Sequence, residues 1–147
     1  MLRQITDYLA YFLVRVFICV IQAVRIETCE RIAKVLAVVA NDMLAIRRNV
    51  LDENLGHVFP DWTVAERRRL TRKMWRHLLM MICELAHVPR KVHETNWQQY
   101  LKIPERRQIV RYLLDTRPLL IVSGHFGNFE TGAYLAALLG FPNYAIA

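Results

Sequence analysis

Residues 123–130, which read SGHFGNFE, combine a histidine and a carboxylate that could together carry out proton-transfer chemistry. Residues 118–123 are apolar, rich in branched side chains and bounded by proline and glycine, which is typical of a buried strand. Residues 129–139 are densely apolar and precede a glycine and a proline, a pattern that predicts a helix and its end. The sequence therefore predicts that His125 lies at the carboxyl end of a strand and Glu130 in the first turn of the next helix.

The turn between these two elements decides whether the side chains of His125 and Glu130 can meet. On one continuous helix, residues five apart point about 140° away from each other. Gly124 and Gly127 allow backbone dihedral angles that other residues avoid, so the chain can fold Glu130 back toward the imidazole. Asn128 is a suitable N-cap and would put Glu130 at the second helical position, where the helix dipole favours an ionised carboxylate.

Such a pair would act as an oriented general base. An ionised Glu130 can accept a hydrogen bond from one imidazole nitrogen of His125 and leave the other nitrogen to take a proton. The backbone N–H groups at the helix start could also help to bind an oxyanion. The pattern predicts an acyl-transfer site, with Gly124, Gly127 and Asn128 beside the substrate; a structural or solvated histidine is the alternative.

The sequence does not indicate metal or redox chemistry. One histidine and one carboxylate supply two ligands, whereas a catalytic zinc usually takes three from the protein. Neither a His-Glu-x-x-His motif nor paired cysteines occurs in the chain, so no cofactor is expected. Cys19, Cys29 and Cys83 are odd in number and lie in apolar contexts, which favours free thiols in a reducing compartment.

Residues 5–24 form an apolar segment of the length that crosses a bilayer, about 20 residues. Arg15 near its middle would cost roughly 2.5 to 3.5 kcal/mol on insertion, so a tilted helix, an interfacial segment and a buried core helix are alternatives. No small-residue cleavage site follows, so a removable signal peptide is not expected. Arg25, Arg31 and Lys34 outnumber the basic residue before the segment, which predicts a cytoplasmic location for the rest of the chain.

Further along the chain, a long amphipathic helix is predicted. Residues 63–66 (TVAE) form a capping box, and the helix is expected to last to about His87 and to stop before Pro89. One face is apolar and the other is basic, and the net charge of the chain is +7, which suits anionic partners. A solvated surface is the commoner explanation of a basic face. The basic residues are Arg69, Arg72, Lys73 and Arg76.

Residues 124–130, the Asn-Leu pair at 54–55 and the Phe-Pro pair at 59–60 together resemble the bacterial lipid A biosynthesis acyltransferase family, the lauroyl and myristoyl transferases. The resemblance runs from the N-terminal apolar segment to the last residue. The wider glycerolipid acyltransferases share a histidine, four intervening residues and an acid that is usually aspartate, so Glu130 favours the lipid A branch. Phe129 stands where the family often has tryptophan, and an aromatic ring is kept.

The resemblance implies an α/β fold in which N-terminal membrane helices lead into the first strand-turn-helix of a glycerolipid-acyltransferase-like core. The expected divisions are a transmembrane or anchoring helix at 1–25, a helical region at 26–117 and the start of an incomplete catalytic core at 118–147. The family's chains are about twice as long, within the usual span of one large domain. This chain is therefore expected to be the N-terminal part of a longer protein and to be inactive alone.

The same resemblance implies an activity: transfer of a fatty acyl chain from acyl carrier protein or acyl-CoA to a hydroxyl of a lipid A precursor or related glycolipid. His125 would take the proton of the acceptor hydroxyl, and Glu130 would orient the ring. Arg47 and Arg48, within a stretch that recurs in the family, could bind lipid phosphates, although a solvated basic face is again the commoner explanation. The implied location is the bacterial inner membrane, with the catalytic part in the cytoplasm.

Three other interpretations stay open. The chain could be an inactive membrane-binding fragment, or a glycerophospholipid acyltransferase. It could also be a basic nucleic-acid-binding helical protein. The apolar N-terminus and the lack of a basic platform interleaved with aromatic residues argue against that last class, so no nucleic-acid partner is expected.

Overall fold

The computed structural model describes residues 2–117, 119–122, 124 and 126–144, and these form six α-helices. The chain divides into two compact units, residues 1–86 and residues 87–147, called the first and second units below. The helices are α1 (Leu2–Ala23), α2 (Ile26–Val38), α3 (Arg48–Val58), α4 (Val64–Lys91), α5 (Arg106–Leu113) and α6 (Glu130–Leu138). A π-helical turn, Val39–Met43, continues α2, and a 3-10 turn, Trp97–Gln99, follows α4.

The predicted α/β fold is wrong for the part of the chain that the structure describes, which contains no strand and is about 70% helical. Residues 119–122, at the centre of the predicted strand, are irregular and exposed; Pro118 and Ser123, at its two ends, lie outside the described residues. The physical reason is that a strand obtains its hydrogen bonds from a neighbouring strand, and none is present among the described residues. A helix completes its own hydrogen bonds, which explains why the helical predictions hold more widely.

The helix α1 confirms the predicted N-terminal helix. Its segment Gln4–Ala23 is long and apolar enough to cross a membrane, with a mean hydropathy of 1.6. Only 6% of that segment is buried. A core helix would be largely buried, so the exposure of α1 disfavours the interpretation of this segment as a core helix.

Helix α2 packs through small side chains in the first unit. Its buried residues are Cys29, Ala33 and Ala37, and small residues allow two helix backbones to approach closely. Contacts to α4 join Cys29 with Cys83 and, at the π-helical turn, Asn41 with Thr71. The later residue, Asn41, contacts the earlier residue of α4, Thr71, whereas Cys29 contacts Cys83. The two helices therefore run antiparallel. Burial, and then the neighbouring Cys29 thiol, raise the pKa of Cys83 to about 11.

A buried polar group fixes the π-helical turn to α4. The Thr71 hydroxyl lies 2.6 Å from Asn41 Oδ1, and both residues are buried. Asn41 Nδ2 donates to Asp42 Oδ1 at 2.8 Å, and Arg72 Nε lies 2.6 Å from Asp42 Oδ2. Arg48 Nη2 donates to the carbonyl of Asn41 at 2.9 Å. These contacts give the buried amide and hydroxyl their hydrogen bonds, without which burial would be unfavourable.

The start of α4 confirms the predicted capping box. The backbone N–H of Thr63 donates to Glu66 Oε2 at 2.8 Å, and the N–H of Glu66 donates to Thr63 Oγ1 at 3.3 Å. The predicted end is wrong, because α4 continues through Pro89 to Lys91. A proline removes one N–H donor from a helix, yet packing around it can hold the helical path. Val88, next to Pro89, is buried in the core of the second unit, which provides such packing.

The core of the second unit joins the end of α4 to α6. It consists of buried Val88 of α4, Val92 just after α4, Trp97 of the 3-10 turn and Leu135 of α6. The partly buried residues packed against this core are Leu101, Ile103, Tyr134, Leu138 and Leu139. The helix that begins at Glu130 is therefore held in place by Leu135, which packs against residues about 40 positions earlier in the chain.

Candidate functional site

The predicted catalytic motif lies in the second unit, immediately before and at the start of α6. His125 falls outside the described residues, so its predicted contact with Glu130 stays a prediction. The described part of the motif comprises Gly124 and residues 126–130.

One of the two glycines has the predicted backbone conformation. Gly127 has a φ of +59°, in the left-handed region that residues with a side chain seldom adopt. A Cβ added to Gly124 would lie 2.8 Å from two ring carbons of Phe126, closer than such atoms approach. The N–H of Phe126 also donates to the carbonyl of Gly124 at 2.8 Å. The φ of Gly127 thus favours glycine at that position, whereas a side chain at 124 would require the exposed Phe126 ring to move.

Glu130 is the first residue of α6, one position earlier in the helix than predicted, because Phe129 rather than Asn128 is the N-cap residue. Asn128 still takes part in the helix start, since its carbonyl accepts a hydrogen bond from the Thr131 N–H at 3.2 Å. The Glu130 side chain is exposed and lies at the positive end of the helix dipole. Gly127 and Asn128 thus lie in the short turn that leads into Glu130 and α6.

Apolar side chains around this turn are open to solvent. Leu120, Ile121, Val122 and Phe126 are 81, 68, 87 and 89% exposed. Active-site pockets usually bury most of the surface of a ligand against apolar walls. Among the described residues, the turn of the predicted site is present, but no enclosing apolar walls surround it.

Arg47 and Arg48 belong to the first unit, and the two arginines have different surroundings. Arg48 is half-buried and donates to the backbone carbonyls of Asn41 at 2.9 Å and Asp42 at 3.4 Å. Arg47 is exposed and has a φ of +53°, a left-handed conformation just before α3. Arg48 thus has a visible structural function, whereas Arg47 is open to an external anion.

The structure also contains features that sequence reasoning missed. Asn41 and Thr71, which meet at the π-helical turn, are 30 residues apart, and nothing in the sequence joins them. The short helix α5 carries Arg107 and Arg111 one turn apart, a spacing that could have been noticed in the sequence. Among the residues that the structure describes, no group of three or more histidine, cysteine or acidic side chains is arranged to hold a metal ion.

Comparison with known proteins places the chain in a family. The model of the family described as "Bacterial lipid A biosynthesis acyltransferase" matches residues 1–140, which include the whole 124–130 motif. No curated protein and no solved structure gave a match. The chain belongs to the bacterial lipid A biosynthesis acyltransferase family. Its class is therefore that of an acyltransferase in a family associated with bacterial membranes.

Proposed function

We propose that this protein transfers a fatty acyl chain from an acyl thioester to a hydroxyl of a lipid A precursor or a related glycolipid. The family match over residues 1–140 is the observation that carries this proposal, because it spans both the membrane helix and the His125–Glu130 motif. Acyl carrier protein or acyl-CoA is the proposed donor. The reaction needs neither a metal nor a redox cofactor, since the hydroxyl oxygen attacks a carbonyl carbon that is already activated as a thioester.

The proposed mechanism divides the work between two side chains. His125 takes the proton from the acceptor hydroxyl as its oxygen bonds to the thioester carbonyl carbon, and the thiolate leaves when the tetrahedral intermediate collapses. The imidazolium then returns the proton to the departing sulfur. Glu130 orients the ring and stabilises its protonated form, and its position at the start of α6 supports this role because the helix dipole favours the carboxylate. Gly124, Gly127 and Asn128 position the backbone beside the substrate.

Two further parts of the proposal concern location and lipid binding. The exposed apolar helix α1 supports insertion in the inner membrane, with the remaining chain in the cytoplasm. Arg47, exposed beside the start of α3, is the better placed of the two predicted arginines to meet a lipid phosphate. Arg48 contributes by holding the π-helical turn next to it.

The chain of 147 residues is proposed to be inactive by itself. Leu120, Val122 and Phe126 are almost fully exposed, whereas an acyl chain needs enclosed apolar walls that exclude water from the thioester. Activity then requires further protein surface that covers Leu120, Val122 and Phe126. Robust acyl transfer by the purified chain in detergent would contradict this part of the proposal.

The substrate assignment is tested with membranes from cells that express the complete gene. Labelled acyl carrier protein and acyl-CoA are each offered with a lipid A precursor or with glycerol 3-phosphate, and products are identified by mass spectrometry. Acylation of the glycolipid, absent in membranes carrying His125→Ala, is expected. Acylation of glycerol 3-phosphate alone would overturn the glycolipid proposal in favour of a glycerophospholipid acyltransferase, and no transfer to either acceptor would favour an inactive membrane-binding protein.

A further inference from the structure

Helix α5 presents a polar face that the proposed acyl transfer does not use. At 100° per residue, Arg107, Gln108, Arg111 and Tyr112 fall within about 140° of the helix circumference. Ile109, Val110 and Leu113 lie outside that arc. Arg106, the first residue of the helix, falls within the apolar arc, and Arg107 and Arg111 are the two arginines on the polar face.

This polar face borders a cavity. The cavity has a volume of about 470 Å³ and is lined by Arg107, Gln108, Arg111, Tyr112, Asp115 and Arg117. It is an open depression of the surface, since all six lining residues are exposed. Every residue of its lining carries a hydrogen-bonding side chain, which suits a polar ligand rather than an acyl chain.

The charges of the lining are unbalanced. Arg117 Nη2 lies 2.9 Å from Asp115 Oδ2, and this guanidinium lowers the pKa of the Asp115 carboxyl. The one carboxylate of the lining is therefore already paired. Arg107 and Arg111 make no ion pair among the described residues, which leaves two guanidinium groups one helical turn apart.

The hydrogen-bonding groups of the lining are mainly donors. Gln108 Nε2 donates to the Tyr112 hydroxyl oxygen at 3.2 Å, which leaves the phenolic proton to donate elsewhere. The planar guanidinium groups of Arg107 and Arg111 present several N–H donors each in a geometry that matches phosphate oxygens. A tetrahedral dianion satisfies both the excess charge and the excess of donors.

We infer that the cavity formed by Arg107, Arg111 and Tyr112 on α5 binds a phosphate monoester. The phosphate can belong to a lipid headgroup or to a soluble molecule, and the chemistry of recognition is the same. This inference does not depend on the proposed acyl transfer, because it concerns a second surface and is measured by binding alone.

The first test uses the unmodified full chain in detergent. Phenylglyoxal reacts with accessible arginines, and mass spectrometry gives the rate at each position. Dioctanoyl phosphatidic acid in the micelles is expected to slow modification of Arg107 and Arg111 at least about fivefold, because charge-assisted hydrogen bonds shield both groups. Arg69, exposed on α4, should react at an unchanged rate and serves as the internal control.

Three further arms complete this test: inorganic phosphate, sulfate at equal ionic strength, and phosphatidylcholine as the lipid without a monoester. Protection by phosphatidic acid alone assigns a lipid source, and protection by inorganic phosphate as well shows that the phosphate group suffices. Equal protection by sulfate, or by phosphatidylcholine, overturns recognition of a phosphate monoester. Unchanged rates in every arm overturn the site itself.

The second test compares matched double variants. Arg107→Gln with Arg111→Gln is expected to weaken phosphatidic acid binding about tenfold or more in calorimetric titration. Arg69→Gln with Lys73→Gln removes the same charge at the same helical spacing on α4 and should change binding less than twofold. Equal losses in the two variants would mean that net charge alone attracts the lipid. Circular dichroism checks folding, and the phenylglyoxal test remains decisive if the first variant does not fold.

Discussion

At the scale of single residues, the 124–130 motif contains both the residues of the proposed proton transfer and a glycine in a left-handed backbone conformation. Gly127 sits at a φ of +59° just before the helix that carries Glu130. The sequence could predict this because a glycine in a short turn is a local signal. It could not give the N-cap correctly, since the choice between Asn128 and Phe129 depends on where the apolar side chains of α6 reach the core.

The left-handed conformation of Gly127 leads to a stability prediction with a matched control. Gly127→Ala should lower the free energy of unfolding by about 1 to 2 kcal/mol, because a Cβ is strained at that φ although no neighbour lies within 4 Å of it. Gly132→Ala, inside α6 with equally open surroundings, should instead raise it by about 0.5 to 1 kcal/mol. Denaturant titration in detergent followed by circular dichroism measures both. Equal effects of the two substitutions would contradict the described turn.

A second residue-scale prediction concerns the buried hydrogen bond at the π-helical turn. Thr71→Val keeps the shape of the side chain but removes the hydroxyl that lies 2.6 Å from Asn41 Oδ1. A loss of about 1 to 3 kcal/mol is expected, because a buried amide oxygen then lacks its partner. Thr28→Val, on the exposed side of α2, should change the unfolding free energy by less than about 0.5 kcal/mol. Similar losses in both variants would show that Thr71 is not buried.

At the scale of elements, local sequence signals predicted the helices well. They predicted poorly those features that depend on contacts between distant segments, such as the end of α4 and the strand. The capping box of Thr63 and Glu66 lies within four residues, and the structure confirms it. The end of α4 was predicted wrongly because Pro89 is a local stop signal, whereas Val88 is held by a core that includes Leu135, far along the chain. The predicted strand was wrong over its described residues, 119–122, for a related reason, since the hydrogen-bond partners of a strand must come from another segment.

Ion pairs between elements predict a dependence of stability on pH. Hydrogen bonding to Arg72 lowers the pKa of Asp42, and Lys34 together with Arg76 lowers that of Glu30. A carboxyl with a lowered folded-state pKa stabilises the fold above its unfolded-state pKa, and this contribution is lost as the pH falls through the folded-state value. The melting temperature should therefore fall between about pH 5 and pH 2.

The control for this pH prediction is a pair of single substitutions. Asp42→Asn should lower the melting temperature at pH 7, because the ion pair with Arg72 is lost. It should also reduce the decrease in melting temperature at acidic pH, because the titrating carboxyl has been removed. Asp61→Asn, in the exposed turn before α4, should leave the pH dependence of the parent unchanged. A parent-like acid transition in Asp42→Asn would show that the pair of Asp42 with Arg72 does not contribute.

At the scale of the whole molecule, the family match spans both an exposed apolar helix and the proposed catalytic motif. The match covers residues 1–140, and α1 is exposed along nearly all of its apolar length. The 124–130 motif, with the Asn-Leu pair at 54–55 and the Phe-Pro pair at 59–60, sufficed to predict the family, because such short motifs can be recognised in the sequence without knowledge of the fold. The enclosing walls of a site could not be predicted in the same way, since Leu120 and Phe126 acquire neighbours only through long-range packing.

The exposure of α1 predicts integral membrane attachment. The full chain should stay in the membrane pellet after washes with 1 M salt, which screen charges within about 3 Å, and should be released by detergent. A variant lacking residues 1–25 should be released by salt alone if only basic surfaces hold it. Release of the intact chain by salt would contradict insertion of α1 and leave an electrostatic attachment.

His125 and Glu130 are proposed to work as a catalytic pair, and single-turnover acyl transfer by the active membrane-bound enzyme measures whether they do. His125→Ala should slow transfer roughly 100- to 10,000-fold, the usual contribution of a positioned base. Glu130→Gln should leave donor and acceptor binding intact and slow the chemical step, while Glu94→Gln, an exposed carboxylate elsewhere in the second unit, should have no effect. The double variant of His125 and Glu130 should be little slower than His125→Ala alone, because Glu130 acts through the imidazole. Near-normal transfer by His125→Ala, or fully additive losses in the double variant, would contradict the account.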